Sequence, residues 1–392
     1  GQPRLPAVLD LKAARARLAQ LAADHGLTVD GERPVRELSI GERQRTEILR
    51  ALWEPGRVLL LDEPTAVLAP REVEQLFGVL DRLRKTGLAI CIVTHKVGEM
   101  KAIADRLTVL HRGRNAGEFL PDADARAIAA AIVGGAPPPP LEIGASQPGE
   151  PRLAIDRLVV RGARGERALD GLTITVRAGE IVGVAGVEGN GQTELGLLLA
   201  GLVPRQQGTL AINGAPHARD EVALRRAARV AYIPEDRHRF GLLPESSLAD
   251  LLYLHGRQSR AQSREATRAI LEAFDITPRD PDAVAGTLSG GNQQKLVVGR
   301  ALADAPLVLI AAQPTRGVDL GAQRRIHQAL VERRDAGGAI LLLSADLDEL
   351  LALSSRIVVL YRGKIVKQLD NSPAADRDAL RVSIGNAMIG AA

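Results

Sequence analysis

The sequence predicts an α/β fold written twice: two tandem domains, each a mostly parallel sheet core with a helical subdomain, the first of them incomplete. Three observations predict it. Short apolar runs without polar alternation, such as residues 307–310 and 339–343, lie between helix-period stretches, as strands of a parallel sheet covered on both faces do. Segments also recur at one offset: Leu38-Ser39 returns as Leu288-Ser289, Pro64-Thr65 as Pro314-Thr315, Glu99 as Glu349 and Arg112-Gly113 as Arg362-Gly363, each 250 residues on. Finally, 392 residues with 45% apolar content suffice for the cores of two ordinary domains.

The elements follow in order. The first copy, residues 1–133, holds a polar turn at Ser39-Ile40-Gly41, an apolar strand ending at Asp62-Glu63, and a second strand, 89–93, followed by His95. Residues 134–151, with Gly134-Gly135 and four prolines at 137–140, read as a linker. The second copy, 152–392, opens with a strand ending at 183–185, a glycine loop, a helix at 191–200 and a strand at 230–233. A largely helical stretch follows. Then come a helix at 291–303, a strand at 307–310, a helix at 320–335, a strand at 339–343 and closing strands at 357–361 and 364–368. Subtracting the offset from Arg152 puts the start of the first copy about a hundred residues before Gly1, so an N-terminal truncation is expected. The alternative is a first copy that never had that part.

Composition narrows the function. With 51 Lys and Arg against 47 Asp and Glu, the net charge of +4 is too slight to indicate a nucleic-acid partner. Cys91 is the sole cysteine, which excludes an internal disulfide or a Cys-rich metal site and fits a reducing, cytosolic compartment. The longest apolar stretch, 127–136, falls short of the roughly 18 residues of a membrane span.

After the strand ending at Ala185 comes Gly186-Val187-Glu188-Gly189-Asn190-Gly191-Gln192-Thr193, then an apolar helix. The spacing is that of a phosphate-cradling loop, G-x-x-x-x-G-K-[ST], save that Gln192 stands where lysine belongs. Glycines let backbone N–H groups turn toward a phosphate, the helix start adds its dipole, and the Thr193 hydroxyl can reach Mg²⁺. A neutral amide hydrogen-bonds phosphate without offsetting its charge, so weakened or altered nucleotide binding is expected. The bland alternative is a glycine turn of the kind any strand-to-helix junction of such a sheet needs.

In the first copy, Asp62 at a strand end can hold Mg²⁺ or its waters, Glu63 can polarise a water for attack on a γ-phosphorus, and His95 can bond that phosphate or water. The structural alternative is a turn and helix cap with an ordinary histidine. The 250-residue register pairs Asp62 with Ala312, Glu63 with Gln313 and His95 with Ala345. The second copy therefore lacks the acid pair, the histidine and the loop lysine, and is expected to bind nucleotide without splitting it.

Leu288-Ser289-Gly290-Gly291-Asn292-Gln293-Gln294-Lys295 resembles the signature motif of ATP-binding cassette ATPases, and the first copy carries the same pair of features: Leu38 to Arg45, then Val58-Leu59-Leu60-Leu61-Asp62-Glu63-Pro64-Thr65. Together with the glycine loop, Pro234-Glu235-Asp236-Arg237 and Ala311-Ala312-Gln313-Pro314-Thr315-Arg316-Gly317-Val318-Asp319, the chain is similar to the double-cassette ATP-binding subunits of bacterial ABC importers for simple sugars or nucleosides. That resemblance implies two P-loop NTPase domains, ATP and Mg²⁺ as cofactors, transmembrane permease subunits as partners, an indirect link to a substrate-binding protein, and a peripheral place on the cytoplasmic face of the membrane. It implies catalytic roles for Glu63 and His95, metal contacts for Asp62 and Thr193, and nucleotide contacts from Gly186, Gly189, Asn190, Gly191, Gln192, Thr193 and Glu235. The signature residues Ser289, Gly290 and Gly291, with Ser39 and Gly41, are implied to cap nucleotide from the opposite copy. Ile40 and Glu42 make the first signature the less welcoming to phosphate. Glu235 departs from the family's usual glutamine, and no aromatic lies between Arg152 and Val230 to stack on adenine, leaving Arg161 or Arg164 as stand-ins. The glycine loop and lysine of the first copy would precede Gly1. Two other readings stay open: a truncated remnant that only binds nucleotide, and a soluble double cassette acting on ribosomes or DNA.

Overall fold

The computed structural model describes residues 10–27, 29–35, 38, 40–54, 56–65, 70–94, 96–111, 113–135, 147–162, 165–187, 189–254, 259–372, 375–388 and 390. The chain divides into two compact units, Gly1–Ala131 and Ile132–Ala392.

The first unit runs α1 (Leu11–His25), α2 (Ile40–Ala51), β1 (Val58–Asp62), α3 (Pro70–Lys85), β2 (Ala89–Val93), α4 (Val97–Ile103), β3 (Leu107–His111), β4 (Arg114–Phe119) and α5 (Ala125–Val133), whose last residues cross the division. β1 and β2 pair in parallel with Asp62 opposite Val93, while β3 and β4 form an antiparallel hairpin. One face of the β1–β2 pair, bearing Leu59, Leu61, Ile90 and Ile92, packs on a core with Ile48 and Leu49 of α2 and Leu76, Leu80 and Leu83 of α3. On the other face Leu60 is 73% exposed and Val58 60%.

The second unit begins with β5 (Pro151–Arg161), β6 (Arg167–Arg177), β7 (Glu180–Ala185), α6 (Gln192–Leu199), β8 (Gln207–Ile212), β9 (Ala215–Pro216), α7 (Val222–Ala227) and β10 (Val230–Ile233). It continues through α8 (Arg237–Phe240), α9 (Leu248–Tyr253), α10 (Arg260–Ala273), α11 (Gly290–Ala303), β11 (Val308–Ala312), α12 (Leu320–Asp335) and β12 (Ala339–Ser344). α13 (Leu347–Leu353), β13 (Arg356–Tyr361), β14 (Lys364–Asp370) and α14 (Arg377–Met388) close it. Its main sheet has the order β10-β11-β12-β7-β13-β14, parallel except for the final hairpin.

Because successive side chains of a strand point to opposite faces, the fully buried β7, β11 and β12, apolar but for Glu180 and Ser344 at their ends, feed two cores at once. Ile181, Leu309, Ala311, Ile340 and Leu342 meet the helices on one side; Val182, Val184, Ile310, Leu341 and Leu343 meet α6 and a second sheet on the other. That second sheet, β6-β5-β8-β9, is antiparallel, and the sequence reading did not anticipate it. Charged and apolar residues share β5 and β6, as one-sided strands require, and that mixture hides them from a search for continuous apolar runs. The repeat is carried in the elements themselves: β1 and β11, α3 and α12, and α4 and α13 have bounds that differ by the same 250 residues.

Candidate functional site

Register fixes which residues can meet in the second unit. Ser344 pairs with Ala185 and Ala312 with Leu343, so the carboxyl ends of β7, β11 and β12 lie at one edge of the sheet. At this edge of an open parallel sheet the connecting loops leave a crevice for ligands. The glycine loop leaves β7 there, and α6 starts at Gln192 with Gly191 as its N-cap. Gly191 has φ +107°, and a Cβ on it would stand 2.4 Å from the Ala168 carbonyl oxygen, so only glycine fits. The first-turn N–H groups of α6 have no acceptor within the helix, which leaves donors at the loop.

The loop's polar side chains divide by direction. Gln192 folds back, its amide donating to the carbonyls of Gly186 (3.0 Å) and Val184 (3.4 Å). Asn190 is buried; its Oδ1 accepts from the Arg362 N–H at 2.9 Å and its Nδ2 donates to the Met388 carbonyl at 3.4 Å, tying the loop to the β13–β14 turn and the end of α14. Thr193 Oγ1 donates to Glu235 Oε2 at 3.3 Å, and Arg316 Nη1 donates to Glu235 Oε1 at 3.1 Å. The chain thus brings together the helix start, the segment after β10 and the segment after β11 through one carboxylate. Glu194 lies beside them; burial raises its pKa above the ordinary carboxylate value against the opposing pull of a bond from its own backbone, and Glu166 and Glu235 push the same way as burial. Burial likewise pushes the Tyr232 phenol up. Arg316 was not singled out as a site residue from sequence, because nothing in its spacing signals contact with a residue 81 positions away.

At the signature turn Ser289 caps α11, its hydroxyl accepting from Asn292 N–H. Arg237 lies over the turn: a Cβ on Gly290 would stand 2.9 Å from its Nη2, and its Nε donates to Gln293 Oε1 at 3.3 Å. Gly291 follows in the first turn of α11. Asp319 caps α12, accepting from Ala322 N–H at 2.8 Å.

In the first unit Asp62 ends β1 with an exposed side chain and Glu63 follows, half-buried. Glu63 has φ +45° and its N–H bonds the Val93 carbonyl at 2.8 Å; at the matching place Gln313 has φ +48° and bonds Leu343 at 2.8 Å. The left-handed backbone, uncommon outside glycine, is therefore present in both units, with and without the carboxylate. A second duplicated contact lies behind it: Thr65 Oγ1 donates to Glu99 Oε2 at 2.5 Å, and Thr315 Oγ1 to Glu349 Oε1 at 2.7 Å. Gly41 lies in the first turn of α2. Ser39, His95 and Arg164 lie outside the described residues. Arg161, the other suggested stacking residue, donates from Nη1 to the Gly165 carbonyl at 2.7 Å.

Oxygen donors from Thr193 and Glu235 suit a hard cation such as Mg²⁺, yet among the described residues no group of three or more His, Cys, Asp or Glu side chains is placed to hold a metal. A cation here would need phosphate oxygens and waters to complete its shell, as Mg²⁺ does with nucleotides. Among the described residues no helix is long and apolar enough to cross a membrane.

Comparison with known proteins agrees with this arrangement. The family described as ABC transporter matches residues 3–66 and 169–316, one stretch in each unit. The nucleoside import ATP-binding protein NupA of Lactococcus lactis is 38% identical over 91% of this chain and 73% of its own length. The glucose import ATP-binding protein TsgD13 of Haloferax volcanii is 39% identical over 97% of this chain and 71% of its own. Among solved structures, the dimeric ATP-binding cassette MJ0796 in a post-hydrolysis state with ADP and Pi aligns with a TM-score of 0.51 and 21% identity, over 56% of this chain and 99% of that one, which speaks to the fold alone. With the family matched in both units and such relatives aligned over nearly its whole length, this chain belongs to the ABC transporter family, among its import ATP-binding proteins.

Proposed function

We propose that the chain is the ATP-binding, ATP-hydrolysing subunit that couples nucleotide turnover to import of simple sugars or nucleosides through a separate membrane permease. The observation that carries this is the division of chemistry between matching strand ends. One has Asp62-Glu63; its counterpart has Ala312-Gln313 beside a glycine loop. In this reading Glu63 takes the proton of the attacking water and His95 bonds the phosphate it attacks, whereas the second unit binds nucleotide at residues 186–193 without splitting it. Ser289 to Gly291, and Ser39 with Gly41, supply the anion-binding helix starts of the two signatures. Mg²⁺ would supply charge neutralisation at the phosphates, and Asp62 in the first unit and Thr193 in the second are oxygen donors that would each hold such an ion or its waters.

The names of the relatives support both substrate classes, one nucleoside and one glucose. The chain would work at the cytoplasmic face of the membrane, with a substrate-binding protein delivering solute to the permease from the other side. Uptake of labelled pentoses and nucleosides by cells carrying Glu63→Gln in this gene tests the reading. The substitution should lower uptake of one class about a hundredfold or more, the scale of a lost general base. Unchanged uptake of every solute would refute it.

A further inference from the structure

The second unit lacks the two groups that would ordinarily offset phosphate charge from within, since Gln192 replaces the loop lysine and Ala312 the strand-end carboxylate that would hold a metal. What stands there is a guanidinium already engaged. Arg316 donates to Glu235 Oε1 at 3.1 Å while the other oxygen of that carboxylate takes the Thr193 hydroxyl at 3.3 Å, at the very start of α6. Glu235 is thus an internal anion at the mouth of the phosphate loop, holding both a hydroxyl and a cation that a phosphate would use. A guanidinium serves phosphate as well as carboxylate, through the same paired N–H geometry. Incoming phosphate charge repels Glu235 and competes for Arg316. The Arg316 side chain is 39% exposed and that of Glu235 21%, so the exchange requires no unpacking of the core.

We infer that Arg316 is the phosphate-binding cation of the second unit, held by Glu235 until nucleotide displaces that carboxylate and frees residues 234–237 without metal or hydrolysis. The inference rests on the nucleotide-binding reading of the glycine loop. It gives that loop a means of signalling occupancy: Glu235 sits between β10 and α8, so releasing it loosens the segment whose next basic residue, Arg237, lies over the signature turn.

Equilibrium dialysis of labelled ATP against the full chain, in EDTA and in Mg²⁺, tests both layers. Wild-type protein should bind ATP in EDTA. Arg316→Gln should raise Kd roughly ten- to a hundredfold, the range of a lost charge-assisted hydrogen bond, and Arg316→Lys should recover part of the loss. Glu235→Gln should lower Kd in EDTA several-fold, on the order of the gain from removing one nearby like charge. Far-ultraviolet circular dichroism confirms that each variant is folded. Absence of ATP binding in either condition would overturn the nucleotide reading itself. Binding that requires Mg²⁺, an Arg316→Gln protein with wild-type Kd, or a Glu235→Gln protein that binds more weakly in EDTA would overturn the role given to Arg316 and leave the nucleotide reading standing.

Discussion

A buried network outside the site shows how single residues set conditions for this fold. Asp220 Oδ1 accepts from Arg205 Nη1 at 3.0 Å and from Arg225 Nη2 at 2.6 Å, and Arg225 is 1% exposed. Arg225 Nη1 also meets His217 Nδ1 at 3.1 Å, which requires that ring nitrogen to accept. Burial, then the Arg225 and Arg205 charges, hold the His217 pKa below its ordinary value, with Asp220 opposing. The unfolded chain therefore takes up this proton more readily than the folded one, and the linked stability is lost as pH falls through the ordinary histidine range. Urea midpoints measured from about pH 7 down to about pH 5 should fall further for the wild type than for His217→Gln. Parallel declines would remove the linkage. None of this network was legible in the sequence, because its partners come from α7 and the loops around β8 and β9 and no local spacing announces them.

Elements repeat more faithfully than the side chains at their ends. The Thr315–Glu349 bond joins the segment after β11 to α13, as Thr65–Glu99 joins the segment after β1 to α4. Glu349 is 1% exposed, its Oε2 has no hydrogen-bond partner, and His327 Nε2 shares its Oε1 at 3.1 Å. Thr315→Val would leave that carboxylate with the histidine alone and should cost roughly 1–3 kcal/mol, read as a lowered urea midpoint; an unchanged midpoint would show the tie to be idle. The strands and helices of the main sheet were readable because burial on both faces writes them as unbroken apolar runs between helical periods. The antiparallel sheet was not, since β5 and β6 bury one face only. The glycine loop was readable from its spacing, but the inward turn of Asn190 depends on Arg362 and Met388, distant in sequence and adjacent only after folding.

Across the whole molecule the two units differ in what covers matching strands. Leu60 and Ile310 are matched by the repeat, yet the first is 73% exposed and the second 0%. Leu60→Ala should therefore change stability by no more than about 0.5 kcal/mol, the usual scale of a surface substitution. Ile310→Ala should cost about 2–5 kcal/mol, as a cavity in a packed core does. Urea titration of the two variants checks the contrast, and equal losses would mean that the exposed face of β1 is covered in solution.

The bend at Glu63 and Gln313 has a broader meaning. Its path through left-handed space is the same with a glutamate as with a glutamine, so the road does not depend on the traveller. Exchanging the two side chains, Gln313→Glu in one unit or Glu63→Gln in the other, would therefore ask nothing new of a main chain already laid.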